Sequence, residues 1–134
     1  MSQENVELMH RWREGWARQD VDAAAGCLHD AVEVDFSAAR GPFRGVYLGP
    51  AEAIQMWRTV WEAWGRVVID FAEVIDCEDG RVITVNVFRA EGRTSGIPTE
   101  ARVANLWAFR DGLISRVQMF QSKDQALEAA GLSE

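Results

Sequence analysis

Ala101-Arg-Val-Ala-Asn-Leu-Trp-Ala-Phe-Arg-Asp-Gly-Leu-Ile-Ser-Arg-Val-Gln-Met-Phe-Gln121 reads as two strands and a tight turn. Both halves are rich in β-branched and aromatic residues, and Asp111-Gly112 between them is the strongest short hairpin signal a sequence can carry. Because side chains alternate along a strand, Val103, Asn105, Trp107 and Phe109 share one face. Upstream, Asp79-Gly80 joins Val67–Cys77 to Val82–Ala90 in the same way. The connection from Glu91 to Thr99 holds two glycines and Pro98, so it predicts a longer hairpin loop. The second half of the chain is therefore expected to be four antiparallel strands, 67–77, 82–90, 101–110 and 113–121.

The first half reads differently. Val6, Met9, Trp12 and Trp16 recur at spacings of three and four, the stripe of an amphipathic helix that Ser2 caps. Asp20 caps a shorter second helix with Val21, Ala24, Ala25 and Leu28 on its inner stripe. Val32-Glu-Val-Asp-Phe36 alternates with period two and predicts a strand. Ser37 to Gly49 predicts a loop. Pro50 and Glu52 open a third helix whose apolar stripe is Ile54, Trp57, Trp61 and Trp64. At the far end Ser122-x-x-Gln125 forms a capping box for a last short helix ending near Gly131. Helix, helix, strand, helix, four strands, helix is an α+β order, with helices expected on one face of the sheet.

Composition narrows the function. The 134 residues suit a single domain, 1–134, with 48% hydrophobic and 26% charged residues, the balance of a globular chain. Fourteen basic against 21 acidic residues give a net charge of −7, which argues against nucleic acid and against an anionic membrane surface as partners. No apolar run spans a bilayer and no signal core follows the N-terminus, so the expected location is the cytoplasm. Cys27 and Cys77 stand apart, and His10 and His29 lie in no metal-ligand spacing. No metal and no cofactor is expected. Six tryptophans in so short a chain imply a thick core, a lined pocket, or both.

Particular words in this order carry a resemblance. They are Met1-Ser-Gln-Glu-Asn-Val-Glu, Gln19-Asp-Val-Asp-Ala23, Leu28-His-Asp-Ala-Val-Glu33, Gly45-Val-Tyr-Leu-Gly49, Trp107-Ala-Phe-Arg-Asp-Gly-Leu-Ile114 and Ala126-Leu-Glu-Ala-Ala-Gly131. Over essentially its whole length the chain resembles the SnoaL-like group of the nuclear-transport-factor-like superfamily, which includes ketosteroid isomerase-like and polyketide cyclase-like proteins. The resemblance implies a cone-shaped curved antiparallel sheet wrapped around the N-terminal helices and enclosing one apolar pocket. It also implies a small hydrophobic molecule as ligand and a homodimer paired through the sheet's outer face. The scaffold hosts isomerases, cyclases, hydrolases, dehydratases and binding modules alike, so it does not choose among them.

Two readings stand for Glu33 and Asp35, which share a strand face. By the residues alone the acids face water and Val32, Val34 and Phe36 face the core. By the resemblance Asp35 aligns with the general base of ketosteroid isomerase-like members. Walled in by tryptophan, its pKa would be raised into a useful range for abstracting a proton next to a carbonyl. The same alignment turns Val103, Asn105, Trp107 and Phe109 inward, together with Val117, Met119 and Gln121. Asn105 is then a hydrogen-bond donor to a substrate oxygen or a satisfied structural amide. The family's acid at Asn105 and its tyrosine at Trp12 are both missing, which counts against ketosteroid isomerase activity itself. Trp12, Trp16 and Trp107 are expected as the hydrophobic wall, and Tyr47 as a hydroxyl near the mouth. An Asp35–Arg102–Asp70 water-activating set has the right residue types but no spacing that makes it converge. His10 and His29 read as structural, the latter at the end of the second helix, and Arg40 and Arg44 as solvated. The function expected is a cofactor-independent isomerase, lyase or cyclase, with a non-catalytic ligand-binding or dimerisation module as the alternative.

Overall fold

The structure is a computed structural model that describes residues 2–132. Its elements are α1 (Gln3–Ala17), α2 (Val21–Ala25), β1 (Leu28–Phe36), β2 (Gly45–Leu48), α3 (Gly49–Ala63), β3 (Trp64–Asp76), β4 (Val82–Gly92), β5 (Pro98–Arg110), β6 (Leu113–Phe120) and α4 (Lys123–Ala129). The local signals explain most of their ends. Ser2 Oγ accepts from the Asn5 amide at 3.1 Å, and Asp20 Oδ1 from the Ala23 amide at 3.1 Å. Ser122 Oγ accepts from the Gln125 amide, while the Gln125 side chain reaches back to the amide of Gln121. Each bond satisfies an amide that the first helical turn leaves without a partner. Asp111 and Gly112 both sit at positive φ, 55° and 74°, the conformation that a two-residue hairpin turn matched to strand twist requires.

The strands form one curved, unclosed sheet in the order β2-β1-β6-β5-β4-β3. The meander β3 to β6 is antiparallel as expected. Two further strands extend it: the expected β1 pairs in parallel with β6, and β2, which was not expected, adds an antiparallel edge to β1. Gly45–Leu48 was expected as loop. Four residues are too few to show alternation, and Val46 and Leu48 remain half exposed, at 48% and 58%. The hairpin between β4 and β5 is also tighter than its composition suggests, since the strands run to Gly92 and resume at Pro98. His29 lies within β1 rather than at a helix end, with Nε2 3.4 Å from Asp111.

Two apolar clusters lie on opposite faces of the sheet. On the inner face α1, α2 and α3 bury Met9, Trp12, Trp16, Trp57 and Trp61 against Val32, Val34, Val82, Trp107 and Val117. On the outer face Ala126 of α4 and Ala130 at its C-terminal end cover Ile83, Ala104 and Leu106. This departs from the expectation that all helices share one side. The outer face carries apolar positions as well, and α4 covers part of them. Around that patch ion pairs take over: Asp70 and Glu100 with Arg89, Glu73 with Lys123, and Glu33 with Arg116.

Candidate site on the inner face

Register places the inner-face side chains in rows. Val82, Trp107, Val117 and Val34 form one row across β4, β5, β6 and β1, all buried in the main cluster. Trp107 is fully buried and meets Trp12 of α1 edge-on at 5.3 Å between ring centroids. Its indole N–H donates to Thr84 Oγ1 at 2.8 Å. The next row is Thr84, Asn105 and Met119, and the row beyond is Phe71, Asn86 and Val103. Within two residues of Trp107 the inner face thus changes from wholly apolar to partly polar.

Asn86 and Asn105 are diagonal neighbours on adjacent strands, with backbone positions about 7–8 Å apart by ordinary sheet geometry. They are only 3% and 6% exposed, and the carboxamide oxygen of each is sealed from solvent with no protein donor. A buried amide left without a hydrogen bond costs about 1–3 kcal/mol, so two on one face are a departure from what folding alone selects. Arg13 of α1 approaches from the facing side, its guanidinium carbon 5.1 Å from the Phe71 ring centroid. Its Nε is buried and also without an acceptor, while Nη2 lies 3.3 Å from His10 Nδ1. Phe71 further contacts His10 at 5.8 Å and Trp107 at 6.1 Å. Two carboxamides on the sheet and one cationic donor on the helix, with aromatic rings between them, are groups that can hydrogen-bond a molecule carrying oxygen.

The residues expected here divide. Trp12, Trp107, Val117, Met119 and Asn105 lie on this face, with Met119 opposite Asn105 and Val117 opposite Trp107. Trp16 sits deeper among the helices, between Trp12 and Trp61. Tyr47 and Gln121 are held by the fold. The Tyr47 hydroxyl donates to the Phe43 carbonyl at 2.9 Å, and Gln121 Nε2 to the Ala38 carbonyl at 2.8 Å, tying the segment after β1. Asn86, Thr84, Phe71 and Arg13 were missed. The signal for Asn86 and Thr84 was available, because both share a face with Val82 in a strand otherwise apolar at that parity.

Asp35 corrects the catalytic expectation. Its row runs through Gln118 to Leu106, and Leu106 belongs to the outer cluster under α4. The outer face is where the bare alternation put it, since Val32 and Val34, 0% and 4% exposed, are claimed by the core. Asp35 Oδ1 accepts from Ser37 Oγ at 2.6 Å and from the Ser37 amide at 3.0 Å, and Oδ2 lies 3.4 Å from Arg116. Burial pushes its carboxyl up. The Ser37 hydroxyl and amide and the Arg116 guanidinium outweigh that push, and the group titrates below the ordinary carboxylate range rather than above it. A folded-state pKa below the unfolded value means the folded protein binds fewer protons. The stabilisation is complete above the unfolded value and is lost as pH falls through the folded one. Asp35→Asn should therefore cost about 1 kcal/mol at neutral pH, with the difference from the parent closing below about pH 4. Thermal melts of both proteins from neutral to acidic pH check this, and a variant more stable than the parent at neutrality would contradict it.

The Asp–Arg–Asp set does not assemble either. Asp70 is taken by Arg89, Arg102 is exposed on the outer face, and Asp35 on β1 lies two strands from Arg102 on β5 and four from Asp70 on β3. Among the described residues no group of three or more His, Cys, Asp or Glu side chains is placed to hold a metal. No described helix is long and apolar enough to cross a membrane. Two open clefts of about 330 and 440 Å3 lie at the surface, and neither is lined by Asn86 or Asn105.

The family model for the SnoaL-like domain matches residues 9–117, an interval that contains α1 from Met9 onward, the Trp107 row and both buried amides. The chain belongs to the SnoaL-like family. Solved structures agree with that fold. TerC, crystallised with polyporic acid, is 18% identical over 96% of this chain and 98% of its own, with a TM-score of 0.77. A Mycobacterium tuberculosis protein in complex with estradiol-17beta-hemisuccinate is 13% identical over 92% of this chain and 97% of its own, at 0.78. A candidate polyketide cyclase from Xanthomonas campestris pv. campestris is 19% identical over 96% and 97%, at 0.73. At such identities the likeness is one of fold. No curated protein matches the chain by sequence.

Proposed function

We propose that this SnoaL-like chain binds a small, largely apolar molecule bearing oxygen between α1 and the inner face of the sheet. The observation that carries the reading is the pair of buried carboxamides, Asn86 and Asn105, set among aromatic rings with no protein partner for their oxygens. Trp12, Trp107, Val117 and Met119 are the walls, and Asn105 is the polar contact nearest the Trp107 row. That two neighbours of the same fold were crystallised with ring-bearing organic ligands supports the same use of the space. Binding without turnover is favoured over an isomerase, lyase or cyclase. Proton abstraction needs a base within reach of the bound molecule, and the carboxylate the sequence offered, Asp35, is hydrogen-bonded on the opposite face.

Titration with estradiol-17β-hemisuccinate and with polyporic acid, followed by tryptophan fluorescence, tests the reading. Trp12 and Trp107 at the wall should make emission change saturably, and both compounds should compete for one site. Emission that stays flat with both compounds would count against it.

We also propose a homodimer. Val46 and Leu48, half exposed on β2 opposite Asp35 and Glu33, extend the outer face beyond the part α4 covers. Light scattering at micromolar concentration should give about twice the chain mass of 15.0 kDa. A mass near that of one chain would contradict it.

A further inference from the structure

Three segments distant in the chain meet at the C-terminal end of α3. Arg58, Trp61 and Glu62 stand there at spacings of three and four, neighbours on one helix surface. Gln19, from the turn between α1 and α2, and Arg93, from the β4–β5 connection, complete the lining of the cleft of about 330 Å3. Arg93 donates through Nε to the Glu62 carbonyl at 3.3 Å, and through Nη2 to the carbonyls of Trp61 and Trp64 at 2.8 and 3.4 Å. These bonds fix its guanidinium and leave the two N–H groups of Nη1 unused. Arg58 is exposed and makes no hydrogen bond or ion pair with any described residue, although Glu62 stands four positions on, where a helical pair would form. Trp61 is the buried member of the lining, 5% exposed, and its indole N–H is sealed from solvent without an acceptor.

We propose that this cleft, separate from the inner face of the sheet, binds the carboxylate of a small organic acid, with Arg58 and Nη1 of Arg93 donating to its oxygens. Charge selects a monoanion. Two guanidiniums against the Glu62 carboxylate leave one positive charge in a chain whose net charge is −7. The helix-end carbonyls that hold Arg93 carry partial negative charge and offset part of it. A carboxylate neutralises the remainder, whereas a phosphate dianion exceeds it and meets Glu62. Hydrogen bonds between guanidinium and carboxylate are strong because both partners are charged. Arg93 is already held in place before a ligand arrives, so little ordering is left to oppose binding.

Benzoate, its neutral analogue benzamide and inorganic phosphate, titrated at constant ionic strength, test this. The readouts are the guanidinium Nε–H resonances of Arg58 and Arg93 and the indole N–H of Trp61, with Arg102, exposed on the outer face, as control. Benzoate should move the first three saturably with one dissociation constant and leave Arg102 in place. Benzamide should bind at least about tenfold more weakly, the ratio expected when a hydrogen bond between charged groups is lost. Arg58→Gln, which breaks no contact among the described residues, should weaken benzoate by a similar factor. Glu62→Gln should tighten it, because the one repelling carboxylate is gone. Shifts that Arg102 shares would mean adventitious association with any exposed arginine. That result, equal affinity for benzoate and benzamide, phosphate binding more tightly than benzoate, or no saturable shift at all would each overturn the proposal.

Discussion

Trp107→Ala is expected to cost about 3–5 kcal/mol, against roughly 5–15 kcal/mol for the whole stability of an ordinary domain. Trp107 is fully buried, packs edge-on against Trp12 and Phe71, and stands in the row that joins four strands. Removing the ring leaves a cavity that rigid strands on both sides cannot close, so the lost contacts are not recovered. The hydrogen bond to Thr84 adds a separable part. Thr84→Val keeps the shape but leaves the indole N–H buried without an acceptor, which should cost about 1–3 kcal/mol. Trp107→Phe removes the donor instead. The double variant Thr84→Val with Trp107→Phe should then lose less than the sum of the two single changes, because no donor is left stranded. Urea unfolding of the four proteins checks this. Strict additivity would show that the bond contributes nothing.

The second large effect has the opposite sign for stability. Asn105→Leu replaces a buried carboxamide whose oxygen has no donor by an apolar side chain of similar size. The unliganded protein should gain about 1 kcal/mol, while ligand affinity falls by about tenfold. A residue that weakens the fold and strengthens binding is the mark of a site, and a structural amide behaves otherwise. If Asn105→Leu destabilises the free protein and leaves binding alone, Asn105 serves the fold.

The fold was legible where its causes are local. Ser2, Asp20 and Ser122 cap helices by bonds that span three residues, and Asp111-Gly112 turns a chain through its own two dihedrals. Alternation in β5 and β6 correctly grouped Asn105 with Trp107 and Val117 with Met119, because strand parity is a covalent property of the backbone. Pairing between distant strands is not. Nothing in Leu28–Phe36 announces a parallel partner in Leu113–Phe120, and β2 is too short to declare itself. Parity also leaves open which of two faces is the inner one. For β1 the apolar trio decided it, and Val32 and Val34 took the core while Asp35 took Ser37 and Arg116. Arg13 was hidden for a related reason: on a helix, a basic residue beside Trp12 reads as solvated unless the ring it covers, Phe71 from β3, is already in view.

The most direct measurement is the side-chain carboxamide NMR of Asn86 and Asn105, assigned by comparison with Asn86→Leu and Asn105→Leu, while estradiol-17β-hemisuccinate is added. The account predicts that both pairs of amide resonances move together and saturate with the same dissociation constant, ahead of the carboxamide of Asn5 on the exposed start of α1. Saturable binding that leaves the Asn86 and Asn105 resonances unmoved would contradict it, and would place the ligand site elsewhere on the molecule.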